Sequence, residues 1–168
     1  RLHFPILKKG FITMSAIILG HKHPDTDSIV SAIACTDLYR QRGLDVKAAA
    51  QGTPAPETAF VLERFGLQAP EVVTSVAGKD VYIVDYSDLN QAPDDFKDCT
   101  LKGIVDHHKL GDMTSSAPLE IVIMPVGCTN TIFKRMYDYL GFVPPKNIAG
   151  AMLCAILSDT VIFKSPTC

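Results

Sequence analysis

At 168 residues the chain has room for one domain with a real core. Hydrophobic residues make up 47% and charged residues 20%, the balance of an ordinary globular protein and not of a disordered or fibrous one. A net charge of −2, without a basic stripe, gives no electrostatic case for nucleic acid. The N-terminus carries Arg1, Lys8 and Lys9 before a mostly apolar stretch, 10–20, which faintly imitates a signal peptide. No small-x-small cleavage site follows, and Met14 makes a natural start, so residues 1–13 are expected to be an extension and 14–168 the domain. No apolar run reaches the ~18 residues needed to span a membrane.

The elements then alternate. A strand at 16–20 leads into a helix at 28–42, with Asp27 or Ser28 as N-cap and Gly43 as stop. A strand at 46–50 precedes a helix opened by Thr53-Pro54 and running to Phe65, with Gly66 as its stop. Strands are expected at 71–74 (weak), 81–85, 101–106 and 119–124. Two helices close the chain, 129–140 ending at Gly141 and 145–157. This order predicts an α/β fold: a mainly parallel sheet with helices on both faces. The five cysteines, Cys35, Cys99, Cys128, Cys154 and Cys168, are scattered without C-x-x-C spacing. They read as reduced thiols of a cytoplasmic protein and not as a disulfide frame or zinc site.

Polar residues stand where the short apolar runs end. Asp25-Thr26-Asp27, with His21 four residues earlier, follows the first strand. Asp85 closes 81–84, Asp106-His107-His108 closes 103–105, and Asp159 follows the apolar stretch 148–157. Short continuous apolar runs suit parallel strands covered on both faces, and open α/β sheets bind ligands at the carboxyl ends of such strands. Imidazole with carboxylate and no thiolate suits Mn²⁺, Fe²⁺ or Co²⁺, with Mg²⁺ allowed. Carboxylates can bridge two cations ~3.5–4 Å apart, a pair able to activate water and clamp a phosphoryl group. The helix N-terminus after the first strand favours an anion.

Each residue also has a plainer explanation. Asp25 and Asp27 suit a turn and an N-cap, His21 a satisfied structural histidine, and Asp85 and Asp159 turns at element ends. Adjacent His107-His108 after Asp106 has no common packing reason. The plain explanations must all hold independently, although every residue falls at one edge of the expected sheet.

The pattern His21-x-x-x-Asp25-x-Asp27, then Asp85, then Asp106-His107-His108, resembles the DHH phosphoesterase superfamily. Three stretches, 20–28, 125–131 (Pro-Val-Gly-Cys-Thr-Asn-Thr) and 158–167 (Ser-Asp-Thr-Val-Ile-Phe-Lys-Ser-Pro-Thr), resemble the family II, manganese-dependent inorganic pyrophosphatases. The resemblance covers residues 16–168 in order. It implies hydrolysis of inorganic diphosphate to two phosphates in a dinuclear Mn²⁺ site, with Co²⁺ or Mg²⁺ as substitutes and a metal-bridging water as nucleophile. By the same resemblance His21 and Asp25 would bind one ion, Asp27, His107 and Asp159 the other, and Asp85 both. His108 would face the substrate phosphate, Asp106 would orient the histidines, and Lys164 would add a basic contact to substrate. The family's enzymes continue into a second, lid-like domain, which is not expected in this chain, and a homodimer stays open.

Two positions depart from the family pattern: His23 stands where many members have Asn, and Tyr86 where His follows the bridging aspartate. Two other functions compete. One is another phosphoesterase of the superfamily, an exopolyphosphatase or a short-oligonucleotide phosphodiesterase, which should lack the 125–131 and 158–167 stretches. The other is a non-catalytic metal- or nucleotide-binding module.

Overall fold

A computed structural model describes residues 15–166. The proposed extension 1–13 lies outside the described residues, as does Cys168. In chain order the elements are β1 (Ala16–Leu19), α1 (Thr26–Gln41), β2 (Val46–Ala50), α2 (Pro56–Arg64), β3 (Glu71–Val72), β4 (Asp80–Val84), β5 (Thr100–Asp106), β6 (Glu120–Ile123), α3 (Thr129–Leu140) and α4 (Lys146–Asp159). The strands form one sheet in the order β3-β2-β1-β4-β5-β6, and every pair is parallel. β1 and β4 are neighbours at the centre, where the winding reverses direction. Loops leaving the two strands part there and open a crevice at their carboxyl ends.

Both faces of the sheet are covered, but unequally. Along β1, Ile18 faces the layer built by α1, α3 and α4, while Ile17 and Leu19 face the other layer. The helical side gathers Val30, Leu38, Ile132, Phe133, Tyr137 and Met152. The opposite side is closed by the β3–β4 and β4–β5 connections, whose Val76, Ala92 and Phe96 pack on Val81, Ile83 and Ile104. Two short 3₁₀ turns, Leu89–Gln91 and Phe96–Asp98, are the only helical structure in that cover among the described residues. α1 is buried on nearly all sides, which accounts for its small residues Ser31, Ala32, Ala34 and Cys35. Tyr137 reaches across to it, its hydroxyl 2.7 Å from Asp37 Oδ2 and 3.0 Å from Ala34 O.

Boundaries shift where caps compete. α1 starts at Thr26, two residues earlier than the apolar pattern predicts, because Asp25 and not Asp27 or Ser28 is the N-cap, accepting from Ser28 N at 2.9 Å. Asp27 is thereby released from capping its own helix. α2 starts at Pro56, since the Pro54 and Pro56 rings both suit a helix entry and only the second opens the hydrogen-bonded turns. β3 keeps only two of four expected residues. Gly43, Gly66 and Gly141 follow α1, α2 and α3 with φ of 88°, 62° and 73°, the left-handed conformation expected of helix stops. The core predicts its own test: Phe133→Ala, at a fully buried site, should lower stability by about 3–5 kcal/mol, read as a lower urea midpoint at unchanged slope.

Candidate metal centre

The switch point brings together side chains from five segments. β1 delivers His21 through the loop at its carboxyl end, and the first turn of α1 delivers Asp25 and Asp27. β4 ends at Asp85, β5 at Asp106 with His107 and His108 following, and α4 ends at Asp159. His21 Nε2 lies 3.6 Å from Asp25 Oδ1 and 3.4 Å from Asp85 Oδ2. His107 Nε2 lies 3.5 Å from Asp85 Oδ1, 3.7 Å from Asp159 Oδ2 and 3.9 Å from Asp27 Oδ2. Asp85 thus turns one oxygen to each histidine. Its backbone is left-handed, φ 67°, a conformation Asp tolerates better than most residues.

The imidazoles are aimed by the backbone. Nδ1 of His21 sits 2.7 Å from Lys22 O, and Nδ1 of His107 sits 2.8 Å from Val126 O. A carbonyl can only accept, so each Nδ1 carries a proton and each Nε2 faces the carboxylates, its lone pair freed when the ring gives up its second proton. That is the tautomer a metal requires, fixed by the hydrogen-bond partner that ligating histidines usually have. Three groups of possible ligand atoms each fall within 4.8 Å of one another: His21-Asp25-Asp85, Asp85-His107-His108 and Asp27-Cys128-Asp159. Asp85 belongs to two of them. Imidazole nitrogen with several carboxylate oxygens is a donor set for a borderline divalent ion, so the residues present fit one.

Protonation equilibria show the same demand. Burial raises the Asp85 carboxyl well above its usual range, and the charge on Asp27 raises it further. Burial, then Asp27, pushes Asp159 up to about 8. Burial works against a charged His21, but its hydrogen bonds with Asp25 and Asp85 prevail and raise it to about 11. Crowded carboxylates thus retain protons that a cation would displace.

Asp106 and His108 form a second unit at the rim. His108 Nδ1 is 2.8 Å from Asp106 Oδ1, which also accepts from the His108 backbone N–H at 3.0 Å. That hydrogen bond raises the His108 pKa against the opposing effect of burial. Burial alone would raise Asp106, but its hydrogen bonds from His108 hold it below the usual carboxylate range. A cavity of about 260 Å³ opens beside His21, Asp85 and His108, with Ser87 and Lys109 in its wall. Lys164 sits on the exposed turn after Asp159, its backbone N–H bonded to Thr160 O at 2.8 Å.

Of the two departures from the family pattern, Tyr86 packs with Ala92 and Phe96, its buried hydroxyl without a hydrogen bond, and lines the cavity beside His21, Asp85 and His108. His23 is exposed, in a left-handed conformation with φ 53°. Several contacts were not foreseen from the sequence. Asp27 Oδ2 accepts from Thr129 N at 2.7 Å, and Asp27 Oδ1 accepts from Asn130 Nδ2 at 2.6 Å and Cys128 Sγ at 3.0 Å. Thr129 Oγ1 donates to Asp85 Oδ1 at 2.8 Å. Glu57 of α2 accepts from Thr26 and Ser158 at 2.6 and 2.7 Å, tying the starts of α1 and α2 to the end of α4. One sequence signal did exist: α3 opens at Cys128 without a side-chain cap of its own, so its first N–H groups need an acceptor from elsewhere.

An open parallel sheet with imidazoles and carboxylates gathered at its switch point defines an α/β domain with groups of side chains that could hold divalent ions. The chain belongs to the DHH family: the model of that family's N-terminal domain matches residues 15–156. It is 45% identical over 162 residues to a probable manganese-dependent inorganic pyrophosphatase of Archaeoglobus fulgidus, an alignment covering 89% of this chain and 50% of that one. It is also 45% identical to a manganese-dependent inorganic pyrophosphatase of Methanothrix thermoacetophila, over 90% of this chain and 49% of the relative. The crystal structure of a putative family II inorganic pyrophosphatase from Methanococcus jannaschii superposes with a TM-score of 0.78 at 42% identity, over 89% of this chain and 50% of that one. An exopolyphosphatase-related protein from Bacteroides fragilis shares the fold, with a TM-score of 0.71 at 16% identity. The chain spans about half the length of the relatives it matches.

Proposed function

We propose that this domain carries the dinuclear metal site of an inorganic diphosphatase, which hydrolyses diphosphate to two phosphates with Mn²⁺. The observation that carries the proposal is Asp85, whose two oxygens lie 3.4 Å from His21 and 3.5 Å from His107. A carboxylate so placed joins two half-sites, one completed by His21 and Asp25, the other by Asp27, His107 and Asp159. The names of the relatives supply the metal and the substrate. Mn²⁺ or Co²⁺ is preferred to Mg²⁺, because two histidine nitrogens suit borderline ions while Mg²⁺ prefers oxygen and retained water.

Bound there, two divalent cations would supply the positive charge that makes a water acidic and a phosphoryl group electrophilic. The protein's own groups do the positioning. Nδ1 of His108 is engaged by Asp106, which leaves Nε2 to meet a phosphoryl oxygen, and its raised pKa favours the cationic donor. Lys164 adds charge from the turn after α4. The enzyme would work in the cytoplasm on a free inorganic anion. Four cysteines are free among the described residues, and no described helix is long and apolar enough to cross a membrane.

The test is phosphate release by the full-length gene product from diphosphate, tripolyphosphate and a dinucleotide, each with Mn²⁺ and with Mg²⁺. Diphosphate with Mn²⁺ is expected to be turned over fastest. Turnover of only tripolyphosphate or the dinucleotide would move the protein to the exopolyphosphatase or phosphodiesterase branch. No turnover, with Mn²⁺ still bound, would leave a metal-binding module.

A further inference from the structure

The stretch Cys128-Thr129-Asn130 marks the chain's resemblance to pyrophosphatases, yet none of its residues is among the six ligands of the proposed dinuclear site, although Cys128 Sγ lies within 4.8 Å of ligand atoms of Asp27 and Asp159. All three are fully buried. They form the first turn of α3, at a helix start with no capping side chain of its own. The missing cap comes from another helix. Asp27, in the first turn of α1, accepts from Thr129 N at 2.7 Å and from Asn130 N at 3.2 Å. The carboxylate of Asp27 therefore lies on the positive end of the α3 dipole. Asn130 Nδ2 at 2.6 Å and Cys128 Sγ at 3.0 Å hold the same Oδ1 from the side, and Ser31 Oγ adds a contact at 3.1 Å.

Thr129 does a second thing. Its hydroxyl donates to Asp85 Oδ1 at 2.8 Å. One residue thus holds Asp27 by its main chain and Asp85 by its side chain. Asp85 needs such a hold, because it sits in a left-handed backbone at the end of β4 with its carboxylate 2% exposed among other acids. A threonine hydroxyl has one proton. Given to Oδ1, it leaves that oxygen a lone pair directed towards His107, and leaves Oδ2 free towards His21.

We propose that the first turn of α3 is a clamp that sets the geometry of the metal centre, with Thr129 as the positioning residue for the bridging carboxylate Asp85 and for Asp27. The proposal rests on the dinuclear reading above and assigns a role in it to a residue outside its six ligands. Loss of an outer hydrogen bond of this type typically weakens metal affinity by ~10–100-fold. Threonine-to-valine keeps the shape and removes only the hydroxyl.

The experiment is a calorimetric Mn²⁺ titration of the wild-type chain, Thr129→Val and Thr129→Ser, with thermal melting of each metal-free protein alongside. Thr129→Val is expected to bind Mn²⁺ at least about 10-fold more weakly, and Thr129→Ser to recover most of the affinity. A role confined to folding would lower the metal-free melting temperature in both variants and leave the affinity of the folded protein unchanged, which overturns the proposal. If the valine protein does not fold, Thr129→Ala against Thr129→Ser makes the same comparison, and equal affinities overturn it. A wild-type chain that binds no Mn²⁺ would instead sink the dinuclear reading and the clamp with it.

Discussion

Asp85→Asn should leave the fold intact and abolish tight binding of the ion pair. Asparagine tolerates the left-handed backbone that Asp85 adopts, at φ 67°, and its amide oxygen can still accept from the Thr129 hydroxyl. What disappears is the negative charge that the two proposed half-sites would share, together with the oxygen donor of one of them. Asp106→Asn is the proper comparison. Asp106 holds His108 and touches none of the Nε2 atoms that face the carboxylates, so its loss should cost only the ~10–100-fold typical of an orienting partner. A Mn²⁺ titration of both variants separates the cases. Affinity lost by more than about 100-fold in Asp85→Asn and less in Asp106→Asn is the expected result. Equal, small losses would remove Asp85 from its bridging role. The metal-free Asp85→Asn protein should melt no lower than wild type, since the substitution replaces a buried carboxyl whose charged form its surroundings disfavour.

The second large effect is on stability against pH. Asp85 and Asp159 have carboxyls raised above the unfolded value of 3.8, Asp159 to about 8. Where an acid is raised, the folded state holds its proton more tightly than the unfolded one, so stability falls as pH rises from the unfolded value to the folded value. His21 is raised from 6.5 to about 11, and His108 is raised as well. A raised base contributes stability fully below 6.5 and loses it as pH climbs through the folded value. The two groups act in the same direction: the metal-free protein should lose stability steadily from mildly acidic to alkaline pH. Asp25 and Asp106 are lowered, and their contribution is lost only below the ordinary carboxylate range, outside this window. A loss of about 2 kcal/mol corresponds to roughly 4–8 °C in Tm for a domain of this size. Mn²⁺ should reverse the trend. Each site occupied at 100 times its Kd adds about 2.7 kcal/mol, so the Tm rise on adding Mn²⁺ should be larger at pH 8 than at pH 5. A metal-free Tm that stays flat or rises between pH 5 and pH 8 would show that the acidic cluster is not under the strain described.

Much of this was legible in the sequence because parallel sheets write themselves plainly. Runs such as 16–19, 81–84 and 103–105 are apolar without alternation because both faces are covered, and the residue that ends each run must sit at the carboxyl edge. The expectation that His21, Asp25, Asp27, Asp85 and His107 meet at one edge needed only that reasoning, and their side chains do converge there; Asp159 joins them from the end of α4, which the packing of that helix decides. Boundaries were less legible. Asp25, Asp27 and Ser28 are all competent N-caps, and only the hydrogen bond from Ser28 N to Asp25 decides among them. The two faces of the sheet could not be told apart either, since a 3₁₀-bearing loop with Val76, Ala92 and Phe96 covers apolar surface as well as a helix does.

The sequence by itself determined the alternation of strand and helix and which polar residues stand where the apolar runs end, because those depend on local periodicity and on residue type. Tertiary structure alone decided which oxygen faces which nitrogen. The two histidine tautomers depend on Lys22 O and Val126 O, and the second of these lies on a different loop from the ring it orients. The orientations of Asp27 and Asp85 depend on Thr129, more than forty positions away from either in the chain. Hydrogen bonds of that kind link residues that share no period and no element. They exist only once the sheet has wound around its switch point and brought the uncapped start of α3 against the acids at the start of α1 and the end of β4.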